Sequence, residues 1–95
     1  MNARKLFYFK ETRDDVILEM VIWQLPEKTG DRPHGLKYRF FCGTEEVCFV
    51  RYDNETGKRD HRHYGDTEEA YDFQSIERLV EDFRNDCVRL AGWEW

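Results

Sequence analysis

Ninety-five residues, 40% hydrophobic and 16% aromatic, are enough for one packed domain and too few for a second core. The aromatic content excludes a disordered chain, and a net charge of −5 excludes nucleic-acid binding by bulk attraction. Any such contact needs a local cationic patch on an acidic body. No stretch approaches the ~20 apolar residues of a membrane span, and no apolar leader with a cleavage site is present, so the expectation is a soluble, cytoplasmic protein without membrane contact. Cys42, Cys48 and Cys87 form no CxxC pair and leave one thiol over in any disulfide scheme. They read as reduced, partly buried thiols, with Cys42 and Cys48 flanking a turn.

In chain order, Lys5–Phe9 is aromatic-rich and strand-like, and the charged Lys10–Asp15 run reads as a turn. Val16–Leu25 is the most apolar stretch, with Glu19 and Gln24 as its only polar residues; it reads as a strand placed centrally in a sheet, with Trp23 in the core. Pro26 ends it, and Pro26–Gly35 is the longest loop. Leu36–Cys42 alternates, placing Leu36, Tyr38, Phe40 and Cys42 on one face and Lys37 and Arg39 on the other. A short connection at Gly43–Glu46 leads to a strand over Val47–Tyr52, and Asp53–Lys58 is rich in turn residues. Short strands are expected at Arg59–Tyr64 and Ala70–Phe73, with Asp66–Glu69 a solvated acidic turn.

Ser75–Leu90 is the one clear helix. Ile76, Leu79, Val80, Phe83, Cys87 and Leu90 repeat as a single apolar stripe, Ser75 suits the N-cap, and Gly92 follows the C-terminal end. A stripe of that width needs a sheet to cover. The expected architecture is α+β: an antiparallel β-sheet with a single C-terminal α-helix packed on one face, over one domain. Trp93 and Trp95 either fold back on that sheet or dock on a partner.

The chemistry concentrates in Arg51–Gly65. In an extended segment His61 and His63 share a face and Arg62 points the other way. Three readings compete. Two imidazoles could begin a metal site, but His34, Asp60 and Asp53 fall at no diagnostic spacing, so no metal and no other cofactor is expected. Paired histidines also suit acid and base roles in metal-independent RNA cleavage. There His61, His63 and Asp53 would be catalytic, Arg51, Lys58 and Arg62 would hold phosphate, and Tyr52 or Tyr64 would stack on a base. The third reading is a hairpin whose ions pair with one another, Arg51 with Asp53 and Arg59 with Asp60.

The order of these parts resembles the TumE family, the toxin half of small TumE–TumA toxin–antitoxin modules. The resemblance is carried by Trp23-Gln24-Leu25-Pro26, Pro33-His34-Gly35-Leu36-Lys37-Tyr38-Arg39, Arg51-Tyr52-Asp53-Asn54 with Gly57-Lys58, Asp60-His61-Arg62-His63, and Tyr71-Asp72-Phe73-Gln74-Ser75 before the helix. It implies a cytoplasmic toxin neutralised by a cognate helix-turn-helix antitoxin, and it supplies no mechanism. RNA and a second copy of the chain are the further partners considered. Ribonuclease activity is the expectation carried forward. The rival is a non-catalytic interaction module that docks a partner through the same hairpin and the Trp tail.

Overall fold

The computed structural model describes residues 3–55 and 57–95. It contains β1 (Arg4–Arg13), β2 (Val16–Gln24), β3 (Leu36–Gly43), β4 (Cys48–Asp53), β5 (His61–Tyr64), β6 (Thr67–Ala70) and α1 (Ile76–Ala91). The strands pair antiparallel in chain order, β1 to β6, as one meander. The helix lies across β3 and β4 on one face, which is the expected α+β architecture.

Side-chain alternation decides which face is covered. Leu18, Met20 and Ile22 of β2, Tyr38, Phe40 and Cys42 of β3, and Val50 and Tyr52 of β4 are buried toward the helix. Leu79, Phe83 and Cys87 come down on them from the helix stripe, and Phe83 meets the edge of Phe40 at 5.2 Å between ring centroids. Ser75 caps the helix by accepting from the Arg78 N–H at 3.1 Å. Gly92, at φ +64°, turns the chain back, and Trp93 then enters the core. Trp95 stays 43% exposed beside Phe9.

Four expectations change. The charged Lys10–Arg13 run continues β1, and the turn shrinks to Asp14 and Asp15, both left-handed at φ 46° and 71°. That pair closes a two-residue hairpin, with Arg13 opposite Val16. The stretch read as an acidic turn and the strand expected at Ala70–Phe73 become β6 at Thr67–Ala70, joined to β5 through Gly65 and Asp66. Trp23 is not a core residue: with Glu19 and Val21 it lies on the face away from the helix, 5.5 Å from the Lys37 ammonium. β2 is an interior strand, but β3 and β4 form the middle of the sheet. The turn expected over residues 53–58 includes Thr56, which lies outside the described residues.

Candidate functional site on the open sheet face

The pairing of β4 with β5 sets Arg51 opposite His63 and Asp53 opposite His61, and β6 sets Glu68 opposite His63. All five side chains stand on the face the helix leaves open. Arg51 Nε lies 3.1 Å from Asp53 Oδ2, and Arg51 Nη2 lies 3.2 Å from His63 Nε2. Asp53 Oδ1 is 3.6 Å from His63 Nε2, while Glu68 reaches His61 Nε2 at 3.4 Å and His63 Nδ1 at 3.9 Å. Two imidazoles, a guanidinium and two carboxylates thus form one connected cluster.

The geometry assigns a proton. A guanidinium only donates, so His63 Nε2 accepts from Arg51 and the proton of the neutral ring sits on Nδ1. The Nε2 lone pair of His63 is thus engaged by Arg51 and is freed only if that guanidinium moves away. The His61 Nε2 nitrogen faces the carboxylate of Glu68, so an imidazolium there has a counter-ion in place.

Arg51, Asp53, His61 and His63, all singled out in the sequence, come together. Lys58 stands apart in the turn that follows β4, where its N–H bonds Glu55 O at 3.0 Å. Arg62 lies on the helix side between the rings of Tyr64 and Tyr71, at 5.5 and 5.8 Å, with Nε 3.2 Å from Glu69. Tyr52 is fully buried. Its hydroxyl and that of Tyr64 both donate to Asp86 Oδ2 at 2.6 Å. Burial, then the bond to Asp86, pushes the Tyr52 phenol well above its ordinary range. Arg62, Tyr52 and Tyr64 thus fasten the sheet to the helix, and neither Tyr52 nor Arg62 reaches the open face where His61 and His63 lie. The expected Arg51–Asp53 pair is present, whereas Asp60 turns inward rather than to Arg59.

Asp60 belongs to a separate buried clip. It accepts from the Tyr38 hydroxyl at 2.7 Å and from His34 Nε2 at 3.0 Å. His34 Nδ1 accepts the Leu36 N–H at 3.1 Å, so its ring proton is on Nε2 and is given to Asp60. Asn54, also fully buried, accepts the Tyr38 N–H at 3.0 Å and donates to Leu36 O at 2.8 Å. Arg32 Nε donates to Asn54 O at 2.9 Å. These bonds pin the 26–35 loop to the sheet. Among the described residues, no group of three or more His, Cys, Asp or Glu side chains could hold a metal ion.

Glu68 was missed in the sequence, because β6 was read as a loop. Gly65-Asp66 is a two-residue hairpin signal, and closing that hairpin places Glu68 opposite His63. A groove of about 600 Å³ lies near the β1–β2 turn, lined by Lys10, Thr12, Ile17 and Glu45. The histidine cluster instead sits on an open sheet surface, where an extended ligand is easier to seat than a small molecule.

A helix-backed meander presenting this cluster is a small α+β protein, with one helix among the described residues and titratable side chains on the face that helix leaves uncovered. The family model described as toxin TumE matches residues 4–91, and the chain belongs to that family. It is a toxin. No curated protein and no solved structure matches it. Among the described residues, no helix is long and apolar enough to cross a membrane.

Proposed function

We propose that this toxin cleaves RNA without a metal, using His63 as base and His61 as acid. The observation that carries the reading is the β4–β5 register, which puts both imidazoles beside Arg51 on the open face. His63 Nε2 takes the proton of a ribose 2′-hydroxyl as that oxygen attacks the adjacent phosphorus. The bond from phosphorus to the 5′-oxygen breaks, and His61 protonates the leaving oxygen. The products are a 2′,3′-cyclic phosphate and a 5′-hydroxyl end. Arg51 swings from His63 to the non-bridging phosphate oxygens and balances the developing charge. Asp53 positions Arg51, and Glu68 orients both rings. The toxin acts in the cytoplasm, and its neutralising partner is a helix-turn-helix antitoxin.

A protein-docking role is favoured by a different surface. Val88 and Trp95 are exposed on the helix side, at 51% and 43%, away from the histidines. That apolar side suits the antitoxin.

His61→Ala and His63→Ala, each checked by circular dichroism, test the mechanism through growth arrest and bulk RNA integrity. Each folded variant is expected to lose activity by roughly 10²- to 10⁴-fold, the usual contribution of a positioned acid or base. Full toxicity in both would remove the histidines from the mechanism.

A further inference from the structure

The open face carries more than the histidine cluster. Its register runs in rows across the strands: Glu19, Phe41, Arg51 and His63 in one, and Val21, Arg39, Asp53 and His61 in the next. Trp23 and Lys37 are paired in a third. Lys5, Lys10, Lys37, Arg39 and Arg51 point to this side. Only Glu19, Asp53 and Glu68 oppose them among the acidic strand residues described. At its β1–β2 end Asp15, Glu45 and Glu46 line a groove with Lys10, so the cationic part of the face is the stretch holding Lys37, Arg39 and Arg51. The helix side mixes signs, with Glu77 and Glu81 exposed beside Arg78, Arg84 and Arg89.

Aromatic rings alternate with the cations of the open face. Lys37 Nζ lies 5.5 Å from the Trp23 ring, and the Arg39 guanidinium lies 5.5 Å from the Phe41 ring. Arg39 also reaches Glu19 at 3.5 Å, an exposed pair that phosphate can replace at small cost. Stacking rings interleaved with cations is the chemistry by which single strands are held without base pairing.

We propose that single-stranded RNA lies across this face from β2 to β5. Its bases stack on Trp23 and Phe41, and its phosphates meet Lys37, Arg39 and Arg51. The inference rests on the ribonuclease reading above and adds the strandedness and path of the substrate. From β2 to β5 the sheet spans about 14 Å at the usual spacing of neighbouring strands, a reach of a few nucleotides. Phe41 is the cross-strand neighbour of Arg51, and Arg51 that of His63, so a strand stacked on Phe41 brings its next phosphate to the imidazole. A duplex cannot use the rings, because its bases are already stacked on one another.

The test is fluorescence anisotropy with a labelled 2′-O-methyl single-stranded RNA, which binds without being cut. The double variant Lys37→Glu/Arg39→Glu is expected to weaken binding by about tenfold or more, since it replaces two phosphate contacts with repulsion. Arg78→Glu/Arg84→Glu, the same change in charge on the helix side, is expected to leave binding within about twofold if contacts are local. Trp23→Ala should cost roughly tenfold and Trp23→Phe much less, as stacking requires. Each variant is first checked by circular dichroism. Equal weakening by both charge reversals, or none by either, would overturn the platform. So would open-face variants that bind RNA normally but escape the antitoxin, which would give the face to that protein. If the wild type cleaves RNA while open-face variants keep their KM, the platform fails and the cleavage reading stands. If it neither binds nor cleaves RNA, both fall.

Discussion

His34 and His63 each stand beside an aspartate, at 3.0 Å from Asp60 and 3.6 Å from Asp53, and the two settings differ in what holds the rest of each ring. Around His34 every polar atom is committed: one nitrogen accepts from Leu36, the other gives its proton to Asp60, and Phe73 packs on the ring at 4.2 Å. Nothing is left over for a substrate. Around His63, scarcely more exposed at 16% against 15%, the contacts are longer, and the Nε2 lone pair is taken by the Arg51 guanidinium, a partner that a phosphate could replace. A histidine–aspartate pair is thus a fastener where its bonds close on the protein. In the proposed mechanism it becomes a site because one of those bonds can be exchanged.

That contrast can be broken by substitution. Asp60→Ala leaves the His34 Nε2–H and the Tyr38 hydroxyl unpaired in a buried setting. It should cost about 3 kcal/mol of stability, at a typical penalty of ~1–3 kcal/mol for each orphaned group. Urea titration measures the loss. Abolished activity in an equally stable Asp60→Ala protein would instead make the clip the site.

Tyr52→Phe is a smaller change on the helix side. Asp86 keeps Tyr64 and Arg89 as donors, so the expected loss is about 1 kcal/mol. The same substitution carries a pH signature. The Tyr52 phenol is raised above its ordinary 10.0 in the fold, by burial first and Asp86 second. Protonated phenol is thus favoured in the native state, which retains its proton when the unfolded chain loses it. The stabilisation is complete below pH 10 and declines as pH rises beyond it. Thermal melts across that range should fall less steeply in Tyr52→Phe than in the wild type.

Glu68→Gln should have the smallest effect on stability and a clear effect on function. Its side chain is 41% exposed, so loss of its ion pairs should cost under about 0.5 kcal/mol. Activity should drop roughly tenfold as His61 loses its counter-ion. Unchanged cleavage kinetics would limit the site to β4 and β5.

Much of this architecture was legible in the chain. The period-2 pattern of Leu36–Cys42 gave the covered face, the stripe from Ile76 to Leu90 gave the helix, and the spacing of His61 and His63 gave their common side. Edges were harder. β1 and β6 lie at the two margins of the sheet, where solvent accepts charge on both faces, so Lys10–Arg13 and Thr67–Ala70 carry no burial pattern. Trp23 was misplaced because Val16–Leu25 is apolar nearly throughout and hides its own alternation. Asp60, Asn54 and Asp86 are buried polar groups whose partners are distant in sequence, among them Tyr38 with Asp60 and Tyr52 with Asp86. Only the pairing of the strands shows that Asp53 faces the site while Asp60 does not.

The central claim, that His63 and His61 act as base and acid on RNA, is tested most directly by the ends that cleavage leaves. Purified toxin incubated with a defined single-stranded RNA, in the presence of a metal chelator, should release 2′,3′-cyclic phosphate and 5′-hydroxyl ends, read by mass spectrometry. The folded His61→Ala and His63→Ala proteins should release almost none. The same cyclic ends from either histidine variant at the wild-type rate, or 5′-phosphate ends from the wild type, would contradict the account.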